Sequence, residues 1–293
     1  MVQEKDLFEK INTGIMVSMM IIMVFPLWYC LAGSLNEGSD YLRGGVYLWP
    51  RAFTTANYTA VFRNKTIFTA FTVTILKSCI GTATSLLVTA LAAYAINKPN
   101  LKGKSFFIPF MTLTMYFSGG LIPFFLLIVN LGLYDNFLVY IIPGLFSVWN
   151  LIILRSFFSE LPISLVESAK IDGASEYRIF FQIILPLSKP VLATLTLFSL
   201  VGHWNSYFDS MMYTASQDLQ TIQLFLKSII TDPGSANALA GGSAMAIPES
   251  ARKITPQTIK LAAMIITSAP IICAYPFLQK YFVKGISLGS VKG

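Results

Sequence analysis

Long apolar blocks alternate with shorter polar connections along most of this chain. Residues 14–33 are apolar apart from Ser18, and further blocks follow at roughly 68–96, 106–130, 137–158, 190–213 and 259–282. A helix rises about 1.5 Å per residue, so about 20 residues cross a hydrocarbon core of about 30 Å. Strict alternation of apolar and polar residues, the mark of a barrel strand, is absent. In lipid every backbone N–H and C=O needs an internal partner, so the blocks predict helices. The expected fold class is an all-α integral membrane protein with about six transmembrane helices in one domain spanning residues 1–293. The first block is too long for the apolar core of a signal peptide and no small-x-small cleavage site follows, which predicts a retained span. Residues 34–67 and 214–258 read as long loops. Gly241, Gly242, Ser243 and Pro248 predict that part of the second is mobile.

Composition agrees. The 293 residues are 55% hydrophobic and only 12% charged, with mean hydropathy +0.65, whereas soluble domains carry about 25% charged residues. The net charge of +7 is not a nucleic-acid footprint, because the basic residues sit mainly in short connections between spans. Cys30, Cys79 and Cys273 lie singly in three apolar blocks, without metal-ligand spacing, and read as small buried hydrophobes. A lone histidine, His203, offers neither a metal site nor a catalytic triad. The sequence therefore predicts no catalytic residue and no metal. Asn57-Tyr58-Thr59 and Asn64-Lys65-Thr66 match a glycosylation sequon but are short enough to arise by chance.

Lysine and arginine placement sets the topology. With the N-terminus inside, one side collects Lys5, Lys10, Lys98, Lys102, Lys104, Arg155, Lys170, Arg178, Lys189, Lys280, Lys284 and Lys292. The other holds Arg43, Arg51, Arg63, Lys65, Lys227, Arg252 and Lys253, mostly in the two long loops, where the rule is weak. The positive-inside bias places both termini and residues 159–189 in the cytoplasm.

Residues 164–190 carry the chemistry of interest. Ser164-Leu165-Val166-Glu167 has the spacing of a capping box, in which the serine hydroxyl and the Glu167 carboxylate satisfy each other's backbone amides. A short helix is expected to run to about Asp172 and stop at Gly173, which accepts the left-handed conformation of a helix stop. Ala169, Gly173 and Ala174 are small and allow close approach by another surface. A second amphipathic stretch at 177–185 leads to Pro186 and Pro190, which break it before the next span. By itself the capping box is common. The whole pattern of Glu167, Ser168, Ala169, Asp172, Gly173, Ala174, Ile183, Pro186 and Pro190 between spans resembles the coupling segment of ABC-importer permeases. The family's second position is usually alanine where this chain has Ser168.

Other stretches resemble the carbohydrate-uptake branch of that family, in particular permeases for oligosaccharide or polysaccharide fragments. These are Phe117 to Pro123, Leu131-Gly132-Leu133, and the ending from Tyr275 to Gly285. The resemblance implies a type I ABC importer permease fold in the bacterial cytoplasmic membrane. It implies a homologous second permease, two ATPase subunits, with the Glu167–Ala174 segment as the contact to an ATPase subunit, an extracytoplasmic solute-binding protein and a carbohydrate substrate. ATP and Mg would be used by the partner ATPase, with no cofactor on this chain. Gly103-Lys104-Ser105 mimics the end of a phosphate-binding loop, but Lys98 stands where its first glycine belongs, so the chain does not read as the ATPase.

Polar groups inside spans are costly and mark candidate solute paths. Trp204, Asn205, Tyr207 and Asp209 near the end of the fifth block combine aromatic faces with amide and carboxylate groups, which suits a sugar; the alternative is an interfacial aromatic belt with Asp209 in water. At 100° per residue Trp204 and Tyr207 would share a helix face and Asn205 would not. Ser118-Gly119-Gly120 either breaks a helix beside a cavity or permits tight helix packing, the reading adopted. Lys77 either meets an acidic sugar or snorkels to the outer surface, the reading adopted. Competing functions are an ABC permease for a non-sugar solute and an ion-coupled carrier, which would want a deeply buried acid. An integral-membrane enzyme would want clustered His, Asp or Cys.

Overall fold

The computed structural model describes residues 2–99, 101–241 and 253–289. Gly242, Ser243 and Pro248 lie outside the described residues, as do most side chains of the 275–285 ending. The described elements are helical, with no named strand among them and one isolated bridge between Asn36 and Phe53.

Among the described residues three helices are long and apolar enough to cross a membrane: Phe8–Ser34, Lys65–Asn97 and Pro256–Ala274 within the longer Pro256–Gly289. Three further apolar blocks are bent pairs. Lys104–Tyr116 meets Leu121–Asn130 at 111°, Phe137–Gly144 meets Val148–Glu160 at 47°, and Glu176–Leu187 meets Lys189–Asn205 at 80°. Counting each pair as one span recovers six.

The bends correct two expectations. The 106–130 block is no straight span: its helix stops at Tyr116, and Gly120, at φ +90°, starts the next. Gly119 has no other group within 4 Å of an added Cβ, so these glycines serve the break and not tight packing. The long connections are not loops either. Gly38–Leu42 and Ala56–Arg63 fold within the first, and Ile222–Thr231 and Pro233–Leu239 within the second. None is longer than 10 residues, about three turns, too short to stand out as a span in the sequence. Cys79 and Cys273 are exposed on the chain surface and Cys30 half-buried; in lipid the exterior is as apolar as the core, so a thiol there has no cost that would drive it inward.

The chain forms two compact units, residues 1–68 with 225–270, and residues 69–224 with 271–293. In the first, Asn57 is fully buried, which removes it as a glycosylation acceptor. Its amide donates to the carbonyls of Ser34 at 2.8 Å and Asn36 at 3.0 Å, and its Oδ1 accepts from the Thr258 hydroxyl at 2.8 Å. One side chain thus satisfies carbonyls at the end of the first helix, where the helix itself can no longer do so. Nearby, Arg51 pairs with Asp40 at 3.1 Å, and Trp28 Nε1 donates to the Leu48 carbonyl at 2.7 Å. Lys260 lies in the apolar stretch of the last long helix, and its ammonium donates to the Ile230 carbonyl at 2.8 Å, at the C-terminal end of Ile222–Thr231. A cation there meets the negative pole of that helix.

Among its described residues the second unit gathers two apolar cores. One joins Leu86, Ala90 and Ala93 to Leu151, Leu154 and Phe158, and to Ile179, Phe180, Ile184 and Leu195. The other gathers Val73, Ile128, Leu133, Val139, Tyr140, Ile141 and Tyr213. Asp135, at φ +56°, fixes the turn beside the second core. Its carboxylate accepts from the amides of Ala215 and Ser216 at 2.9 and 2.8 Å.

Asn57→Ala should strand two carbonyls in the first unit, while the Thr258 hydroxyl keeps the Thr255 carbonyl at 3.1 Å. We expect a loss of about 1–3 kcal/mol, read as a lower thermal midpoint of purified protein in detergent. An unchanged midpoint would show that these groups find other partners.

Candidate functional site

The helix Ile163–Ile171 carries Glu167, Ser168 and Ala169. The chain enters it from Pro162, at φ −59° and ψ 120°, and no side chain caps its first turn. Ser164 is already the second helical residue, so the expected Ser164–Glu167 capping box does not form. Proline, with its fixed φ, starts the helix two residues ahead of the serine. The end of the helix is as the sequence predicts. Gly173 sits at φ +76°, its amide donating to the Lys170 carbonyl at 3.0 Å, and the Ala174 amide reaches back to Ala169 at 2.9 Å. This pair of bonds is a Schellman stop, with Asp172 as the last cap.

The segment projects from its unit. Glu167, Ser168, Asp172 and Gly173 are exposed, Ala169 and Ala174 half-buried, and no group lies within 4 Å of an added Cβ at Gly173. Ile171 is 86% and Tyr177 75% exposed, flanking the turn with uncovered apolar surface.

After the turn, Ser175 caps the next helix by accepting from the Arg178 amide. Glu176–Ile179 passes into a wider π turn at Phe180–Ile184 and then Leu185–Leu187. Pro186 lies two residues past the end of the π turn, and its ring cannot accommodate the regular α-helical bond at that point. The 80° bend falls at Ser188, between Pro186 and Pro190.

Sequence reasoning missed Glu176, the anchor of this segment. Its carboxylate accepts from the Tyr94 hydroxyl at 2.6 Å, pairs with Lys98, and meets Lys170 at 3.3 Å. Hydrogen bonds from Lys98 and then Tyr94 hold its pKa down at about 2, so it is ionised at neutral pH. Through it, Lys170 on the exposed helix is tied to the end of Lys65–Asn97. No local pattern announces this contact, because its partners are far apart in sequence.

The fifth block ends differently from expectation. The helix stops at Asn205, Ser206 is extended, and a new helix runs Phe208–Tyr213. The shared helical face predicted for Trp204 and Tyr207 therefore does not exist. Trp204 is buried, with its ring 6.3 Å from Phe71. Asn205 and Tyr207 are exposed, and Gln223 reaches the Asn205 carbonyl oxygen at 3.5 Å.

Asp209 has a specific partner. Lys77 is fully buried instead of snorkelling, with its ammonium 3.2 Å from Asp209 Oδ2, 3.4 Å from the Ser206 carbonyl and 4.8 Å from the Tyr140 ring centroid. The Ser206 hydroxyl donates to the same carboxylate oxygen at 2.8 Å. A legible signal was present: Asp209 is the one carboxylate in the predicted spans, and Lys77 stands in the middle of another. A lysine too deep to reach water needs a carboxylate, and the break at Ser206 delivers one.

Asp209→Asn strands the buried Lys77 charge, whereas Lys77→Met leaves a carboxylate that is 38% exposed and still bonded to Ser206. Asp209→Asn should therefore cost more, about 3 kcal/mol, in thermal melts of purified protein. Equal or reversed losses would mean that Lys77 is not held by this pair.

Residues 85–288 match the family model of the binding-protein-dependent transport system inner membrane component. The chain is 38% identical over 290 residues to Protein LplC of Bacillus subtilis (strain 168), covering 98% of this chain and 95% of that protein. It is 37% identical over 289 residues to the polygalacturonan/rhamnogalacturonan transport system permease protein YtcP of the same organism, covering 98% and 99%. Among solved structures, a bacterial ABC transporter involved in the import of the acidic polysaccharide alginate contains a chain that superposes with a TM-score of 0.87. Identity is 30%, with 95% of this chain and 98% of that chain covered. The chain belongs to the binding-protein-dependent transport system inner membrane component family.

Proposed function

We propose that this chain is a transmembrane permease subunit of an ATP-driven importer for a carbohydrate, of oligosaccharide size. It forms half of the translocation pathway beside a homologous permease. Two ABC ATPases stand on the cytoplasmic side and a solute-binding protein on the other. The protein's own residues carry no hydrolysis; ATP and Mg belong to the partner ATPases. The carbohydrate reading rests on the relatives, which include permeases for polygalacturonan/rhamnogalacturonan and for arabinooligosaccharides. Both termini and residues 159–189 are cytoplasmic by the bias of lysine and arginine.

One observation carries the coupling role: the helix Ile163–Ile171 ends in a Schellman turn that projects Glu167, Asp172 and Gly173 outward between exposed Ile171 and Tyr177. The ATPase grips this turn, and the Glu176 contacts with Lys98 and Tyr94 transmit its movement to the Lys65–Asn97 span. Closure of the ATPases around nucleotide then biases a two-state packing of the spans, opening the path to one side or the other. Ser168 and Ala174 keep the approach to the helix free of bulk. Pro186 helps set the bend that orients the segment against the following span.

Trp204, Asn205, Tyr207 and Asp209 form the candidate sugar path at the helix break. Exposed Asn205 and Tyr207 offer hydroxyl partners and an aromatic face to a glycan. Trp204 shapes the wall from within, and Asp209 is held in place by Lys77.

Gly173→Val forces a β-branched residue into left-handed backbone at a cost of about 1–3 kcal/mol, in a place with room for its side chain. The complex should insert and assemble while binding-protein-stimulated ATPase activity and uptake both fall. Full stimulation in this variant, or external labelling of Lys170→Cys in intact cells, would remove the docking claim.

For the sugar path, Asn205→Ala and Tyr207→Ala should lower uptake or alter sugar preference in proteoliposomes while basal ATPase activity persists. Trp204→Ala opens a cavity in packed structure and should also reduce stability, by about 3–5 kcal/mol. Unchanged uptake in the first two variants would take the helix break out of the route.

A further inference from the structure

Beside the exposed helix lies a cavity of about 380 Å³ that the coupling reading does not use. Tyr94 and Asn97 line it from the last turn of one apolar helix, and Phe158 and Ser159 from the last turn of another. Span ends sit at the level of lipid headgroups, so the cavity opens where hydrocarbon gives way to water. Its walls divide by chemistry. Phe158, Leu161, Ile163, Val166 and Ile184 are apolar, while Lys98, Lys104 and Lys170 bring three ammonium groups to it.

Charge decides what fits. Glu167 lines the cavity, and Glu176 pairs with Lys98 and Lys170. Two carboxylates against three ammoniums leave one positive charge in excess. Lys104, half-buried at the start of its helix, has no ion-pair partner among the described residues. A single phosphodiester neutralises that excess, and the apolar wall covers the first carbons of an acyl chain. A zwitterionic headgroup brings its own cation and leaves the excess standing.

We propose that this cavity is a binding site for one anionic phospholipid, with its phosphate on Lys104 and the start of its acyl chain against Phe158 at the span end. Basic pockets between spans on the cytoplasmic side recognise anionic headgroups in this way. The site rests on the orientation given under Proposed function, which puts these lysines in the inner leaflet. A lipid there touches the coupling helix and the end of the Lys65–Asn97 span together. It makes the link between them responsive to the composition of that leaflet.

The test uses the whole transporter complex purified in detergent, exchanged into mixtures of phosphatidylglycerol and phosphatidylcholine, with retained lipid read by native mass spectrometry. Wild type should retain phosphatidylglycerol in preference to phosphatidylcholine. Lys104→Gln should lower that retention about fivefold, the effect of one lysine at a membrane surface, and Lys104→Arg should restore it. Ser159→Phe, which fills the cavity without touching a charge, should lower it too. Equal retention of the two lipids, or unchanged retention in both Lys104→Gln and Ser159→Phe, would overturn the site. Displacement of phosphatidylglycerol by millimolar inorganic phosphate would also overturn it, in favour of a soluble anion. Full ATPase stimulation in Gly173→Val with phosphatidylglycerol retention intact would count against the coupling reading and leave the lipid site standing.

Discussion

A peptide group in hydrocarbon has no water to bond, and this constraint governs where the chain can bend. At each of the three bent pairs a serine hydroxyl joins a backbone hydrogen bond, the first two within apolar blocks and the third, at Ser188, at the end of the segment proposed to be cytoplasmic. At the first, the Gly120 amide takes the Ser118 hydroxyl at 3.2 Å. At the second, Ser147 receives the Asn150 amide at 3.2 Å, and its own amide goes to Thr89 Oγ1 at 3.3 Å. At the third, the amide and hydroxyl of Ser188 both reach the Ile184 carbonyl, at 3.0 and 2.7 Å. A serine stands at every bend because a hydroxyl is the smallest group able to serve as donor or acceptor there.

The same constraint applies more severely to charge. Lys77 occupies the middle of an apolar helix, and its ammonium is met by Asp209, the Ser206 carbonyl and the face of Tyr140. Asp209 can reach it only because the preceding helix ends at Asn205 and Ser206 turns the chain. The broken helix and the buried lysine are therefore one feature. Removing either partner leaves a cost that the intact pair does not carry. Lys260 answers the same problem differently, by spending its charge on a carbonyl at a helix end.

The segment from Ile163 to Glu176 shows how far local chemistry reaches. Gly173 as a left-handed stop and the length of the preceding helix follow from residues within one turn of each other, and both were legible. The start of that helix was misread because two local signals compete. Ser164 and Glu167 have capping-box spacing, but Pro162 lies upstream and the helix begins there. The anchor of the segment was not legible at all. Glu176 finds Tyr94 and Lys98 across some eighty positions of sequence, and nothing near Glu176 specifies them.

The amino-acid sequence by itself determined that this is a helical membrane protein, roughly where its apolar blocks lie, and which segment between them is exposed and short-helical. Those properties come from hydropathy and from residues that act on their immediate neighbours. Only the tertiary structure decided that half of the blocks are bent pairs and that the long connections contain helices. It alone placed Lys77 against Asp209, and joined Lys98, Lys104 and Lys170 around one cavity. The physical reason is range. A span is a property of about 20 consecutive residues, whereas a bend, an ion pair or a cavity depends on which distant groups the packed helices bring together.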